Sequence, residues 1–213
     1  MSITNGYTTL PKLKEALAID AGDTDDDVDL ELAVETASRQ IEAHCGRGRK
    51  FWQDTSAVAR KYFPCLSRWL SVDDISTVTG LLVKVDTSDN GTFDTSLTIT
   101  TDFDVHPVNA AAESPTQPFT AIRLLDGTLS GFTALSSGRP AVEVTAKFGW
   151  PAVPNAVERA CIFQAKNIFK ATDLTYGSFQ LAEDGSPLRV PSMDPVSRAL
   201  LESFIRHDEV HDE

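Results

Sequence analysis

The stretch from Thr24 to Cys45 constrains the fold more than any other part of this sequence. Asp23 or Thr24 can cap the start of a helix, the acidic residues that follow suit the positive end of its dipole, and Gly46 is a typical stop. Such a helix spans about 33 Å at about 1.5 Å per residue, which is the thickness of a small domain. Its apolar residues recur at helical spacing and predict one buried stripe: Leu30, Val34, Ala37, Ile41 and Cys45.

A second apolar set, which comprises Val28, Leu32 and Ala43, lies on another side of the same helix. A helix with two apolar sides is typically covered on both. We therefore expect one side to be covered by the chain itself and the other by a neighbouring subunit.

Charge is unevenly distributed along the chain, whose net charge is −12. Eight acids and no base lie from Asp20 to Glu35, whereas seven bases and two acids lie from Arg39 to Arg68. Two solvated faces would explain this pattern, and so would charge complementarity between neighbouring copies in an oligomer. The charges that are candidates for subunit contact or for a position near DNA are Asp25, Asp26, Asp27, Arg47, Arg49 and Lys50.

The composition excludes several classes of protein. With 213 residues, 41% of them hydrophobic, the chain can form one or two domains with a true core. Its acidity disfavours general binding to nucleic acid. Cys45, Cys65 and Cys161 are too few and too widely spaced for a disulfide framework or a zinc site, so we expect buried free thiols in a reducing compartment. We also expect no signal peptide and no membrane span.

Three further helices are predicted. The first covers Leu10–Ile19 with a proline in its first turn, and the next runs from Asn155 to Thr172. Because the second of these is apolar around most of its circumference, we expect it to be mostly buried and to pack on the central helix. Asp194 caps and Pro195 opens the last helix, which follows an irregular connection. This C-terminal segment either reaches another subunit or packs on its own chain.

A β-rich block lies between the helices, because the apolar pattern changes to period two from Val58 to Trp150. The predicted strands are Val58–Phe63, Leu66–Val72, Thr77–Asp86, Leu97–Thr101, Phe119–Leu125 and Ala141–Phe148. The fold class is therefore α+β. We expect a helical core at residues 1–50 and 151–172, an inserted β-rich domain at 51–150, and a C-terminal extension with a terminal helix at 173–213.

Few residues suggest a binding site or chemistry. Asp86–Asp94 has the oxygen spacing of half a calcium loop but lacks the final glutamate, so a β-hairpin with an Asn-Gly turn explains it better. The basic and aromatic segment Arg47–Trp52 could contact phosphate, yet a loop packed on the core is favoured. Asp73 and Asp74 read as solvated strand ends. We find no catalytic motif and predict no cofactor and no metal.

Many packing and turn residues resemble those of the head-to-tail connector (adaptor) proteins of long-tailed bacteriophages. The similarity covers most of residues 7–172, whereas the C-terminal forty residues match in layout alone. Val72-Asp73-Asp74-Ile75 resembles longer members from phages of actinobacteria. The other matching residues are Leu10, Leu13, Lys14, Leu17, Ala37-Ser38, Ile41-Glu42, Cys45-Gly46-Arg47, Phe51, Phe148-Gly149-Trp150-Pro151, Val153-Pro154 and the helix Ala156-Val157 to Lys166.

The resemblance implies a structural virion protein and not an enzyme. It implies a homo-oligomeric ring, commonly dodecameric, that docks beneath the portal protein, extends the channel for passing double-stranded DNA and meets a downstream stopper or tail-terminator protein. The location implied is the capsid–tail neck of the virion, and the host cytoplasm before assembly. The residues implied for portal docking lie in the C-terminal segment: Asp194, Pro195, Val196, Leu200 and Phe204.

Two alternatives remain open, besides a hydrolase without a recognisable motif. One is a tail-completion or stopper protein of the neck, and the other is a carbohydrate- or protein-binding module built on the β-rich block. On the connector interpretation, we expect deletion of residues 194–213 to leave the fold intact and to abolish attachment to the portal. Reversal of Arg47, Arg49 and Lys50 is expected to weaken ring assembly.

Overall fold

The computed structural model of the protein describes residues 3–46, 49–64, 67–125, 127, 129–172 and 193–206. The fold is α+β, as predicted, and the chain divides into two compact units. A helical unit contains the described residues of Met1–Arg47 and Val153–His207, and a sheet unit contains those of Gly48–Ala152. The chain therefore leaves the helical unit once and returns to it.

The helical unit contains four α-helices. They are α1 (Leu10–Leu17), α2 (Asp27–Cys45), α3 (Asn155–Thr172) and α4 (Pro195–Leu201), and a 3₁₀ turn at Glu202–Phe204 follows the last. The described part of the C-terminal segment, residues 193–206, thus belongs to this unit.

Helix α2 has the predicted buried stripe but a later start than predicted. All five stripe residues are fully buried. The helix begins at Asp27 and not near Thr24, because the preceding acids form short turns in which Asp23 Oδ1 accepts from the Asp25 amide at 3.2 Å. Its N-cap residue, Asp26, makes no side-chain cap bond. The 19 residues of the helix span about 28 Å.

Helix α3 packs on α2, as predicted. Ser38 Oγ lies 3.5 Å from Cys161 Sγ at the centre of the contact, and Gln164 Nε2 donates to Gln40 Oε1 at 2.6 Å. Helix α1 ends at Leu17, two residues early, because Ala18 adopts a left-handed conformation. Helices α2 and α3 thus meet at two small, buried side chains, Ser38 and Cys161.

Helix α4 has the predicted cap. Asp194 Oδ2 accepts from the Ser197 amide at 2.8 Å, and Pro195 occupies the first turn. Ser197 Oγ donates to Ala160 O at 3.0 Å, and Leu201 is fully buried. The sequence left open whether this segment reaches another subunit or packs on its own chain. Its described part packs on its own chain.

The sheet unit contains one antiparallel sheet of six strands. They are β1 (Val58–Tyr62), β2 (Trp69–Val85), β3 (Thr95–Leu97), β4 (Phe103–His106), β5 (Phe119–Leu124) and β6 (Val142–Phe148). The order is β1-β6-β2-β5-β4, and β3 pairs with the end of β2. Alternate residues of β6 are buried as predicted, so one face of the sheet carries the core of this unit.

Three strand predictions were wrong. Leu66–Val72 and Thr77–Asp86 were predicted as separate strands, but Trp69–Val85 is one strand whose register shifts once against β5 and twice against β6. The third predicted strand in that region, Leu97–Thr101, is instead the short Thr95–Leu97. Strand β4 was not predicted, because the alternation of Phe103 and Val105 with Asp104 and His106 extends over only four residues.

Candidate assembly surfaces

The segment that leaves α2 is held inside the sheet unit by a buried ion pair. Arg49 Nε lies 3.2 Å from Asp74 Oδ2, and Trp150 Nε1 donates to the same oxygen at 3.1 Å. The guanidinium lies 5.3 Å from the Trp150 ring centroid, and Phe51 is fully buried beside the same ring. Asp74 is 1% exposed, so the prediction of a solvated strand end was wrong.

The predicted basic contact charges divide into two groups. Arg49 and Lys50 have partners inside the sheet unit, since Lys50 Nζ lies 3.6 Å from Asp54 and 4.4 Å from the centroid of Trp52. Arg47 lies outside the described residues. The loop interpretation of this segment is therefore supported by the burial of Phe51, while contact with a neighbour or with DNA stays a prediction.

The predicted acidic contact charges also divide. Asp27 forms an ion pair with the buried Lys14, whose ammonium also donates to the Asp23 carbonyl, and this joins α1 to α2. Asp25 and Asp26 are exposed. They lie at the start of α2, one turn from the exposed Val28.

The outer face of α2, defined here as Val28, Leu32, Arg39 and Ala43, is exposed along the length of the helix. With 3.6 residues per turn, Val28 lies about 180° and Leu32 about 140° from the buried Ala37. The second apolar set predicted from the sequence is thus uncovered in the single chain, and Leu32 is 52% exposed.

The outer face of α3 carries a basic strip, defined here as Arg159, Lys166 and Lys170. These residues lie about 140–180° round the helix from Cys161, which faces α2. Arg159 and Lys170 are exposed, and the Arg159 guanidinium lies 4.8 Å from the Phe163 ring centroid. From sequence, α3 was expected to be mostly buried.

The predicted portal-docking residues differ in exposure. Pro195 is exposed and Val196 is 54% exposed, whereas Leu200 is half-buried and Phe204 is buried. The Asp194 carboxylate caps α4, and it also accepts a hydrogen bond from Asn167 Nδ2 at 3.2 Å. Pro195 and Val196 are therefore the members of this set that a partner can reach without rearrangement.

The loop Asp86–Asp94 joins β2 to β3 as a hairpin, as predicted, but the turn is wider than a simple Asn-Gly turn. The buried Asp86 carboxylate orders it, accepting from the amides of Gly91 at 2.7 Å and Ser88 at 3.1 Å. At the tip, Asp89 accepts hydrogen bonds from Ser136 and Ser137, which lower the pKa of its carboxyl group. Backbone amides thus bond the Asp86 carboxylate, and serine hydroxyls bond that of Asp89.

Two other titratable groups are strongly perturbed. Burial raises the pKa of the Cys161 thiol to about 11, against its usual 9.0. Burial and the neighbouring Asp73 carboxylate raise the pKa of Tyr62, whose hydroxyl donates to Asp73 Oδ2 at 3.0 Å. Cys45 is also a buried free thiol, as predicted, while Cys65 lies outside the described residues. Both perturbed groups lie against packed side chains, so a structural role accounts for them.

Within the described ranges, no three or more His, Cys, Asp or Glu side chains come together in a way that could hold a metal ion. Among the same residues, no helix is both long and apolar enough to cross a membrane. The histidine pair His207 and His211 lies outside the part of the chain that the structure describes.

The fold has a counterpart among solved structures. A chain from the neck of an empty gene transfer agent (GTA) particle, computed with C6 symmetry, superposes with a TM-score of 0.56 at 16% identity, over 100% of this chain and 96% of that one. A chain from the virion of a native GTA particle gives a TM-score of 0.46 at 16% identity, over 90% and 95% of the two chains. No protein-family model and no curated protein matches the sequence. The first of these likenesses shows that the whole chain shares its fold with a neck protein.

Proposed function

We propose that this protein is a structural component of a phage-type virion neck. In this role it forms a ring that docks beneath the portal, extends the DNA channel and joins the capsid to the tail. The observation that carries the proposal is the fold, which is shared along the full length with a chain from the neck of a GTA particle. The connector-like packing residues, from Leu10 to Lys166, support the same role.

The uncovered surfaces of the helical unit fit an assembly protein. The outer face of α2 leaves Val28 and Leu32 in solvent, and the outer face of α3 presents cations. In a ring, a neighbouring subunit can cover such apolar side chains. The net charge of −12 fits a channel that does not retain DNA phosphates.

For portal docking, we propose that the portal contacts the exposed start of α4. Pro195 and Val196 are accessible there, while Phe204 and Leu201 are part of the helical core. Deletion of residues 194–213 removes these two buried side chains. We therefore expect it to destabilise the helical unit, contrary to the expectation from sequence, and a point substitution is the better test.

The test is co-purification with the portal. The tagged protein is expressed during phage infection, and its partners are identified by mass spectrometry and electron microscopy. The expected result is a portal-type protein with rings at the capsid vertex. Recovery of tail proteins without portal would instead indicate a stopper or tail-completion protein, and recovery of no virion protein would overturn the neck assignment.

The docking site is tested by Val196→Asp, which is expected to abolish recovery of the portal and to leave the fold unchanged. Val108→Asp is the matched control, because Val108 is 68% exposed, compared with 54% for Val196, and lies in the sheet unit. Portal recovery that is equal for both variants would exclude the start of α4 as the docking site.

A further inference from the structure

The two outer faces of the helical unit are complementary in charge. Exposed acids cluster at and before the start of α2: Asp20, Asp23, Asp25, Asp26 and Asp29. The exposed face of α3 carries Arg159 and Lys170, whereas the half-buried Lys166 between them donates to the Ala16 carbonyl of α1 at 2.8 Å. Asn155 and Asn167 are the other polar residues exposed on α3, so the described part of that face carries no exposed acid.

The two faces also match in size and position. Helices α2 and α3 have 19 and 18 residues, which corresponds to about 28 and 27 Å of helix. They contact each other through Ser38 and Cys161, so each outer face is turned away from the other helix. The outer face of α2, where Val28 and Leu32 lie beside the acidic start of the helix, and the basic strip of α3 with Phe163 therefore lie on opposite sides of one packed helix pair. The one cation of the α2 face, Arg39, is paired with Glu42 at 2.8 Å.

We infer that the outer face of α2 binds the basic strip of α3 on a second copy of this chain. The inference rests on the proposed ring and names its subunit contact. Two different faces of one chain make a head-to-tail contact, which is not limited to a dimer and generates a ring when its rotation closes. Leu32 and Val28 supply the apolar centre of the contact, and the surrounding charges set its register and orientation.

This contact differs from the one that the sequence predicts. The sequence-based hypothesis opposed Asp25–Asp27 to Arg47, Arg49 and Lys50. Arg49 and Lys50 already have partners in the sheet unit, and Asp27 is paired with Lys14. The exposed cations of α3 replace them as the partners of Asp25 and Asp26.

A charge-swap experiment tests the contact. One variant reverses the acids (Asp25→Lys, Asp26→Lys), and a second reverses the bases (Arg159→Glu, Lys170→Glu). All four side chains are exposed, so both variants are expected to fold, which circular dichroism checks. Each variant alone is expected to associate at least tenfold more weakly than the natural chain. An equimolar mixture is expected to recover assembly, because each mixed contact again pairs opposite charges.

The matched control for charge reverses two exposed acids of the sheet unit, Asp94→Lys and Glu113→Lys. It changes the net charge as much as the first variant does. Leu32→Gln and Leu82→Gln form a second pair, since these leucines are 52% and 55% exposed. Only Leu32→Gln is expected to weaken association by tenfold or more.

The measurement is sedimentation velocity up to millimolar protein, at low and high salt. Association of the natural chain should weaken as salt rises, because the contact is partly ionic. Three results would overturn the inference: a natural chain that stays monomeric at millimolar concentration, reversed variants that assemble like the natural chain, or a mixture that does not recover. None of these affects portal co-purification, so failure of this contact is distinguishable from failure of the neck assignment.

Discussion

At the scale of single residues, Gly149 is the position that the structure fixes most tightly. Its φ is +106°, and a Cβ added there would lie 1.9 Å from the carbonyl oxygen of Trp52. Glycine is needed for both the backbone conformation and the close approach. The motif Phe148-Gly149-Trp150-Pro151 therefore has a physical reason, which is the passage of one chain segment directly over another.

We predict that Gly149→Ala destabilises the protein by more than about 3 kcal/mol. The alanine must hold an unfavourable backbone conformation, and the Trp52 backbone must also move away from the added Cβ. Gly138→Ala is the control: its φ is +70°, but no atom lies within 4 Å of the added Cβ. That variant should lose only about 1–2 kcal/mol, the cost of a left-handed conformation. Urea unfolding of both variants checks the difference, and equal losses would show that the contact with Trp52 yields at little cost.

Cys161 gives the protein a predictable response to alkaline pH. Its folded pKa is about 11 and its usual value is 9.0, so between these pH values the unfolded thiol loses its proton while the folded thiol keeps it. The free energy of unfolding therefore falls as pH rises through this window, by about 3 kcal/mol in total.

The measurement is the free energy of unfolding of the natural chain and of Cys161→Ala between pH 8 and pH 11, the upper limit being the pKa of the folded thiol. The alanine variant lacks the titrating group, so the difference between the two chains should shrink or reverse toward high pH. A constant difference across the range would show that the thiol ionises equally in both states.

At the scale of elements, how well the sequence predicts structure depends on whether the signal is local. The stripe from Leu30 to Cys45 and the alternation of β6 repeat along continuous segments, so both were predictable. The continuous β2 strand was not, because Asp73 and Asp74 interrupt its apolar pattern. Their partners, Arg60 and Arg49, are distant in sequence, and nothing local shows that these acids are paired.

The candidate surfaces follow the same rule. The apolar outer residues of α2 were predictable from spacing, and so was the cap of α4 at Asp194. The sequence did not predict which charged residues are paired and which are exposed, because this depends on which side chains meet after folding. Arg49 is paired with Asp74, whereas Arg159 on α3 is exposed, and the sequence context of the two does not separate them.

At the scale of the whole molecule, the acidic net charge decides how the protein meets nucleic acid. At −12, the chain repels phosphates and releases few counterions on contact. We predict that micromolar protein does not shift a short DNA duplex in a native gel at physiological salt. The Asp94→Lys, Glu113→Lys variant should behave the same way, since it remains acidic. A clear shift by the natural chain would contradict a channel through which DNA passes without being retained.

The start and the end of the sheet unit lie side by side, and this has a consequence for how such chains diversify. The Asp54 amide donates to Phe148 O at 2.9 Å, and Gly149 passes over Trp52, so the incoming and outgoing segments form one stem. The segment between Asp54 and Phe148 therefore begins and ends at one place in the sheet unit. We expect that related chains can differ in the length of this segment while they keep the same order of helices before and after it.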